Sequence, residues 1–101
     1  MNIIRDLFDI IKDRQANPKE GSYTNSLFEA GEDEILKKIG EESVEVILAA
    51  KGQGDERLVS EMADLVYHGL VLLAARGLTL EAIEAELERR APAEKDRNDG
   101  G

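Results

Sequence analysis

The sequence has no cysteine, no tryptophan, two prolines, two tyrosines and two phenylalanines in 101 residues. Without cysteine there is no disulfide framework and no thiolate zinc site, and nothing indicates a redox compartment. Positive charge is also scarce. Thirteen Lys and Arg face 22 Asp and Glu, for a net charge of −9. That balance excludes a duplex-binding role, because such affinity comes mostly from Lys and Arg meeting phosphates. Long apolar runs are missing too. Arg5, Asp6, Asp9, Lys12 and Asp13 interrupt the first fifteen residues. A signal peptide needs an unbroken apolar stretch after a basic start. No unbroken apolar run approaches the roughly 20 residues that span a bilayer. A soluble cytoplasmic protein is the expectation, with neither nucleic acid nor membrane as partner.

A chain of this length supports one domain. The hydrophobic share is 42% and the charged share 35%, which leaves a thin core for a lone subunit. Breaks fall at Asn17-Pro18, Gly31, Gly52 to Gly54, Gly77 and Pro92. Between them the apolar spacing is helical, with no strand pattern and no clear repeat. Ile3, Ile4, Leu7, Phe8, Ile10 and Ile11 form a first stripe. Ser22 to Ala30 makes a short helix, and Glu32 to Lys51 a long one through Ile35, Leu36, Ile39, Ser43, Val46, Ile47 and Ala50. Asp55 caps the next helix, whose stripe is Leu58, Met62, Leu65, Val66, Gly69, Leu70 and Leu73. Thr79 caps the last, carrying Leu80, Ile83 and Leu87. The reading is an all-α bundle of four to five helices, with one domain over residues 1–91 and a flexible polar tail over 92–101.

Val44 and Leu48 lie roughly opposite Ile35 and Ile39, and Tyr67 and Val71 lie behind the stripe of their own helix. Helices apolar on two sides are buried on two sides. A homodimer that completes a four-helix core accounts for this, with higher assembly left open.

At about 100° per residue, Glu42 falls inside the apolar stripe of the first long helix. Glu45 lies at the stripe's edge, with Lys38 between the two in angle and Glu41 further out. Glu61, His68 and Asp64 occupy the matching edge of the second long helix. A short connection makes the two helices antiparallel neighbours, so Glu41, Glu42, Glu45, Glu61 and Asp64 converge on one groove. A carboxylate at a core position is costly unless compensated. Lys38 could neutralise the site, or a hard divalent cation such as Mg²⁺ or Mn²⁺ could bind. The second is favoured by spacing, since Glu42 and Glu45, like Glu61 and Asp64, stand three residues apart. The spacing from Asp64 to His68 is four, which fits the Glu-x-x-His pattern of di-iron bundles poorly. His68 reads either as a hydrogen-bonded structural residue or as a substrate contact.

The block Glu41, Glu42, Glu45, followed by Glu61 and Asp64, resembles the signature of the all-α nucleotide pyrophosphohydrolases, the MazG-like superfamily. Ser22-Tyr23-Thr24, Leu27-Phe28, Lys37 to Glu42, and Asp64 to His68 are similar to the phosphoribosyl-ATP pyrophosphohydrolases within it. The resemblance extends over roughly residues 3–91. It implies a Mg²⁺-dependent hydrolase that splits phosphoribosyl-ATP into phosphoribosyl-AMP and pyrophosphate, the second step of histidine biosynthesis. It also implies a dimer. Glu42, Glu45, Glu61 and Asp64 would be metal ligands, with Glu42 also serving catalysis. Glu41 would be a further ligand or the group that orients the attacking water.

An acidic groove accepts a phosphate chain only if metal ions reverse its local field. Arg14, Lys37 and Lys38 are candidates for the remaining phosphate, with Ser22 and Thr24 as hydroxyl donors. Tyr23 is either a packing residue or a base-stacking one. Many members of the family are fused to a cyclohydrolase; this chain reads as the stand-alone form. Two other functions compete: a house-cleaning hydrolase of nucleoside triphosphates, and a non-catalytic helical dimer acting as an interaction module.

Overall fold

A computed structural model describes residues 2–100, with side chains described as far as residue 93. Five α-helices follow one another: α1 (Ile3–Ala16), α2 (Tyr23–Ala30), α3 (Glu32–Leu48), α4 (Asp55–Ala75) and α5 (Leu80–Gly100). A π-helical turn, Ala49–Gln53, extends α3 toward α4. No strand occurs among the described residues, so the all-α expectation holds.

Side chains satisfy free N–H groups at the starts of α1, α2 and α5. Asn2 caps α1 by accepting from the Arg5 amide at 3.1 Å. Ser22 caps α2 by accepting from the Asn25 amide at 3.3 Å. Thr79 caps α5 as expected, accepting from the Ala82 amide at 3.2 Å. At α4 the expectation fails. Gly54, with φ of 91°, is the cap residue and no side chain bonds there. Asp55 is instead the first helical residue, where it and Glu56 place negative charge at the positive end of the dipole. Helix α4 ends in a Schellman motif. Gly77, at φ 68°, donates to the Ala74 carbonyl at 3.1 Å and Leu78 donates to the Leu73 carbonyl at 2.9 Å.

The core is assembled from every helix. Phe8 and Ile11 of α1, Leu27 of α2, Ile35 of α3, Leu70, Val71 and Ala74 of α4, and Leu80 of α5 are all buried. Helices α3 and α4 form the most extensive pair, with α1 packed against α4 and α2 against α3. Polar contacts fix the corners. Arg76 pairs with Glu32 at 3.1 Å, tying the end of α4 to the start of α3. Gln15 donates to the Ala74 carbonyl at 3.1 Å. Asn25, only 7% exposed, donates to the Arg14 carbonyl at 2.6 Å and accepts from the Lys19 amide at 2.8 Å. It thereby clips the loop between α1 and α2.

Three sequence expectations need correction. On α4 the buried face is rotated from the expected stripe, keeping Leu70 and gaining Val71. Val71, placed behind the stripe, is fully buried within the chain, whereas Met62 and Val66 of the stripe are exposed. Periodicity locates two apolar faces without saying which one turns toward the same chain. Second, α4 is long and apolar enough, by length and composition, to cross a membrane, a property that unbroken runs do not reveal. Its packing on α1 and α3, together with buried Glu61 and His68, marks it as a core helix. Third, Pro92 does not break the last helix, which continues to Gly100. Proline there removes one N–H bond without ending the helix. The flexible tail expected over 92–101 falls mostly on residues whose side chains lie outside the described ones.

Some of the exposed apolar side chains line a shared groove. Ile3, Ile4 and Leu7 of α1 face Val59, Met62 and Val66 of α4 across an open groove of about 450 Å³. Ile47 and Leu48 of α3, and Ile83 and Leu87 of α5, are exposed as well.

Candidate active site

Antiparallel packing of α3 on α4 brings carboxylates from both helices together. One oxygen each from Glu42, Glu61 and Asp64 lies within 4.8 Å of the other two. Their burial is graded. Glu61 is buried, Glu42 half-buried and Asp64 exposed, so the cluster runs from the helix interface out to solvent. Oε2 of Glu42 is out of contact with solvent and has no hydrogen-bond partner.

Electrostatics follow from this geometry. Burial pushes the Glu42 carboxyl above the usual carboxylate range. Close approach of Glu61 and the charges of Asp64 and Glu45 push it the same way. Glu45 is half-buried and lies near enough to act on Glu42, although it stands outside the tight group of three. Glu41 is exposed and faces Lys38 at 4.0 Å. Lys38 therefore sits at the edge of the cluster without entering it, and among the described residues the one cation paired with the three carboxylates is Arg57. Its Nε lies 3.1 Å from Oε1 of Glu61.

The donor set suits a hard divalent cation: all its atoms are carboxylate oxygens, and no thiolate or imidazole nitrogen is among them. The orphaned Oε2 of Glu42 is a second indication. A buried anionic oxygen without a donor is costly, and a cation is one way to satisfy it.

The Ser22-Tyr23-Thr24 segment meets α4 one turn beyond Asp64. The Tyr23 hydroxyl lies 3.1 Å from Nε2 of His68, and His68 Nδ1 lies 2.8 Å from the Asp64 carbonyl oxygen. A carbonyl can only accept, so Nδ1 carries a proton, and in the neutral ring Nε2 accepts from Tyr23. The Thr24 hydroxyl bonds to the Tyr67 hydroxyl. The rings of Tyr23 and Tyr67 stack with centroids 6.2 Å apart, and His68 meets both edge-on. Burial raises the Tyr23 phenol above its ordinary pKa, and the Lys38 charge opposes that rise.

Ser22, Thr24 and His68, named from the sequence as substrate contacts, thus spend polar groups on internal bonds. Ser22 caps α2, and Thr24 and His68 join α2 to α4. Tyr23 keeps about half its surface, 51%, in solvent. An open cleft of about 640 Å³ lies beside it, lined by Lys19, Glu20, Ser22, Asn25, Ser26 and Glu29. Lys37 is exposed and Lys38 half-buried. Arg14 pairs with its neighbour Asp13 at 3.1 Å and lies in the last turn of α1.

Two residues of the site escaped the sequence reading. Arg57 had a signal, standing four residues before Glu61, the spacing of an ion pair on a helix. Asn25 had none, because a buried asparagine in a short helix looks like any other polar residue.

Comparison with known proteins gives a consistent result. The sequence model of the phosphoribosyl-ATP pyrophosphohydrolase family matches residues 4–91. A phosphoribosyl-ATP pyrophosphatase of Pelotomaculum thermopropionicum is 61% identical over 89 residues, covering 88% of this chain and 91% of that protein. One from Listeria welshimeri is 58% identical over 88 residues, covering 87% and 84%. One from Lactiplantibacillus plantarum is 52% identical over 99 residues, covering 98% and 93%.

Proposed function

The chain belongs to the phosphoribosyl-ATP pyrophosphohydrolase family, and on that premise we propose that it hydrolyses phosphoribosyl-ATP to phosphoribosyl-AMP and pyrophosphate, in histidine biosynthesis. The observation that carries the reading is the cluster of Glu42, Glu61 and Asp64, with its buried unpartnered oxygen. Water adds to the α-phosphorus, the α–β anhydride bond breaks, and pyrophosphate leaves.

Glu42, Glu61 and Asp64, joined by Glu45, would hold Mg²⁺, with Mn²⁺ as a substitute. When bound, the ion would neutralise phosphate charge and make a coordinated water more acidic. The other contributions come from the chain. Glu42 holds a charge poised by burial. Glu41, exposed at the rim, orients the attacking water or adds a ligand. Lys38, Lys37 and Arg14 supply fixed positive charge for the ribose phosphate. The open face of Tyr23 offers a surface for a base. Ser22, Thr24 and His68 hold that segment beside the cluster, with further substrate contact through whichever lone pairs their internal bonds leave free.

The functional unit would be a homodimer, in the cytoplasm. The apolar groove between α1 and α4 and the open faces of α3 and α5 supply the surface that a second copy would cover. Isolated apolar residues are ordinary on a surface; a contiguous groove is not.

The test is pyrophosphate release from phosphoribosyl-ATP, with Mg²⁺ or with EDTA, and with ATP and dCTP as parallel substrates. Release from phosphoribosyl-ATP alone, and with Mg²⁺ alone, is expected. Release from the common nucleotides instead would retain the acidic site and discard the substrate. A folded protein inert toward all three would point to an interaction module.

A further inference from the structure

Arg57 pairs with a residue that the proposed function needs for another purpose. Its guanidinium reaches forward one turn along α4, Nε to Oε1 of Glu61 at 3.1 Å. The two partners differ in freedom. The Glu61 side chain is 8% exposed, whereas that of Arg57 is 56% exposed. Glu61 is therefore held by the fold, and Arg57 is free to leave. An open polar recess of about 340 Å³, lined by Gln53, Glu56 and Ser60, adjoins it and gives the released side chain somewhere to go.

The charges explain why a cation stands there. Glu42, Glu61 and Asp64 crowd oxygens within 4.8 Å, and like charges at that distance repel. Arg57 supplies one positive charge to three carboxylates. A divalent ion supplies two, and binds the oxygens directly. Both cannot gain fully from Glu61, because the guanidinium draws on a carboxylate that the ion would use and repels the ion itself. A guanidinium stays charged at any working pH, so nothing but displacement removes it.

We propose that Arg57 is an internal counter-ion that holds Glu61 while the metal site is empty, competes with the divalent cation for that carboxylate, and swings into the Gln53–Ser60 recess when the cation binds. Arg57 is thus a positioning residue that sets the metal affinity of this chain. The inference rests on the metal assignment above.

Calorimetric titration of the full-length protein with Mn²⁺ alone tests it, using wild type, Arg57→Gln and Arg57→Lys. An i,i+4 ion pair whose cation is solvent-exposed corresponds to about a fivefold change in binding. Arg57→Gln is expected to bind Mn²⁺ about three- to fivefold more tightly than wild type. Arg57→Lys, which keeps the charge, is expected to stay near wild type. Thermal unfolding gives a second readout. In EDTA, Arg57→Gln should melt below wild type, because Glu61 has lost its partner. In saturating Mn²⁺ that gap should close, since ligand linkage stabilises the tighter binder more. Equal or weaker Mn²⁺ binding by Arg57→Gln would overturn the inference and leave the metal site standing. No Mn²⁺ binding by any of the three proteins would remove the metal assignment and this inference together.

Discussion

The hydroxyl of Tyr23 lies 3.1 Å from Nε2 of His68, 45 residues further along the chain. That one bond fastens α2 to the middle of α4, and the Asp64 carbonyl, 2.8 Å from Nδ1, fixes the ring that receives it. His68 is 5% exposed, so solvent cannot replace a lost donor. Tyr23→Phe should therefore lower the free energy of unfolding by about 1 kcal/mol, the cost of leaving a buried acceptor unpaired. Urea denaturation followed by circular dichroism would check this. An unchanged midpoint would mean that the bond contributes nothing.

Glu42→Gln separates function from stability. Hydrolysis should fall by at least about 100-fold, since loss of supporting residues around a metal site already costs 10- to 100-fold. The metal-free protein should melt higher than wild type near neutral pH, because the substitution removes a charge that burial and neighbouring carboxylates disfavour. Steady-state assays and melting in EDTA would read the two effects. Loss of activity together with a lower melting temperature would assign Glu42 a structural role instead.

The sign of the pH dependence follows from the same residue. The folded-state pKa of Glu42 is raised above its ordinary value of 4.5, so the folded chain binds more protons than the unfolded one between the two values. Linkage then makes this group's contribution to stability fall as pH rises through that window. The melting advantage of Glu42→Gln should accordingly shrink toward zero below the ordinary carboxylate pKa. Metal ligands must be deprotonated, so Mn²⁺ affinity should begin to fall while the pH is still above the ordinary carboxylate range. A melting gap that is constant with pH would contradict both expectations.

The groove between α1 and α4 makes a prediction about assembly. Val59 is 69% exposed and Met62 43%, so neither contributes much to the core of its own chain. Val59→Asp combined with Met62→Asp should yield a monomer by light scattering at concentrations where wild type is a dimer. A double variant that remains dimeric would place the interface elsewhere, with α3 and α5 the next faces to alter.

Helix α5 is held at its first turns. Leu80 is buried at 7% exposure, and Arg5 of α1 pairs with Glu81 and Glu84. Burial outweighs these solvent-exposed pairs. Leu80→Ala should destabilise the chain by about 2 kcal/mol, and Arg5→Ala by clearly less. Parallel urea titrations of the two variants would decide the order.

The helices were legible because their evidence is local. Pro18, Gly31, Gly54 and Gly77 stand where the chain turns, and Thr79 caps α5 in the position expected of it. The choice between the two apolar faces of α4 was not local. It depends on where α1 and α3 lie, and Val71 and Met62 exchange roles once those helices are in place. The carboxylates were legible for a different reason: Glu42 is an anion in an apolar stripe, an anomaly visible without a structure. Spacing alone grouped five acids. Packing separates them into a tight three, with Glu45 beside them and Glu41 turned toward Lys38. Side-chain reach across a helix pair decides that separation, and a helical wheel contains no second helix.

The clip made by Asn25 has a mechanical consequence. One amide side chain grips the carbonyl of Arg14 and the N–H of Lys19 at once, so the corner between α1 and α2 has no hinge. Joined this way, the end of α1 and the start of α2, where Tyr23 meets His68, form one braced corner. The Lys19 amide, in a loop otherwise open to water, should give up its hydrogen to deuterium as slowly as a helical amide, and its exchange rate would report how stiff that corner is.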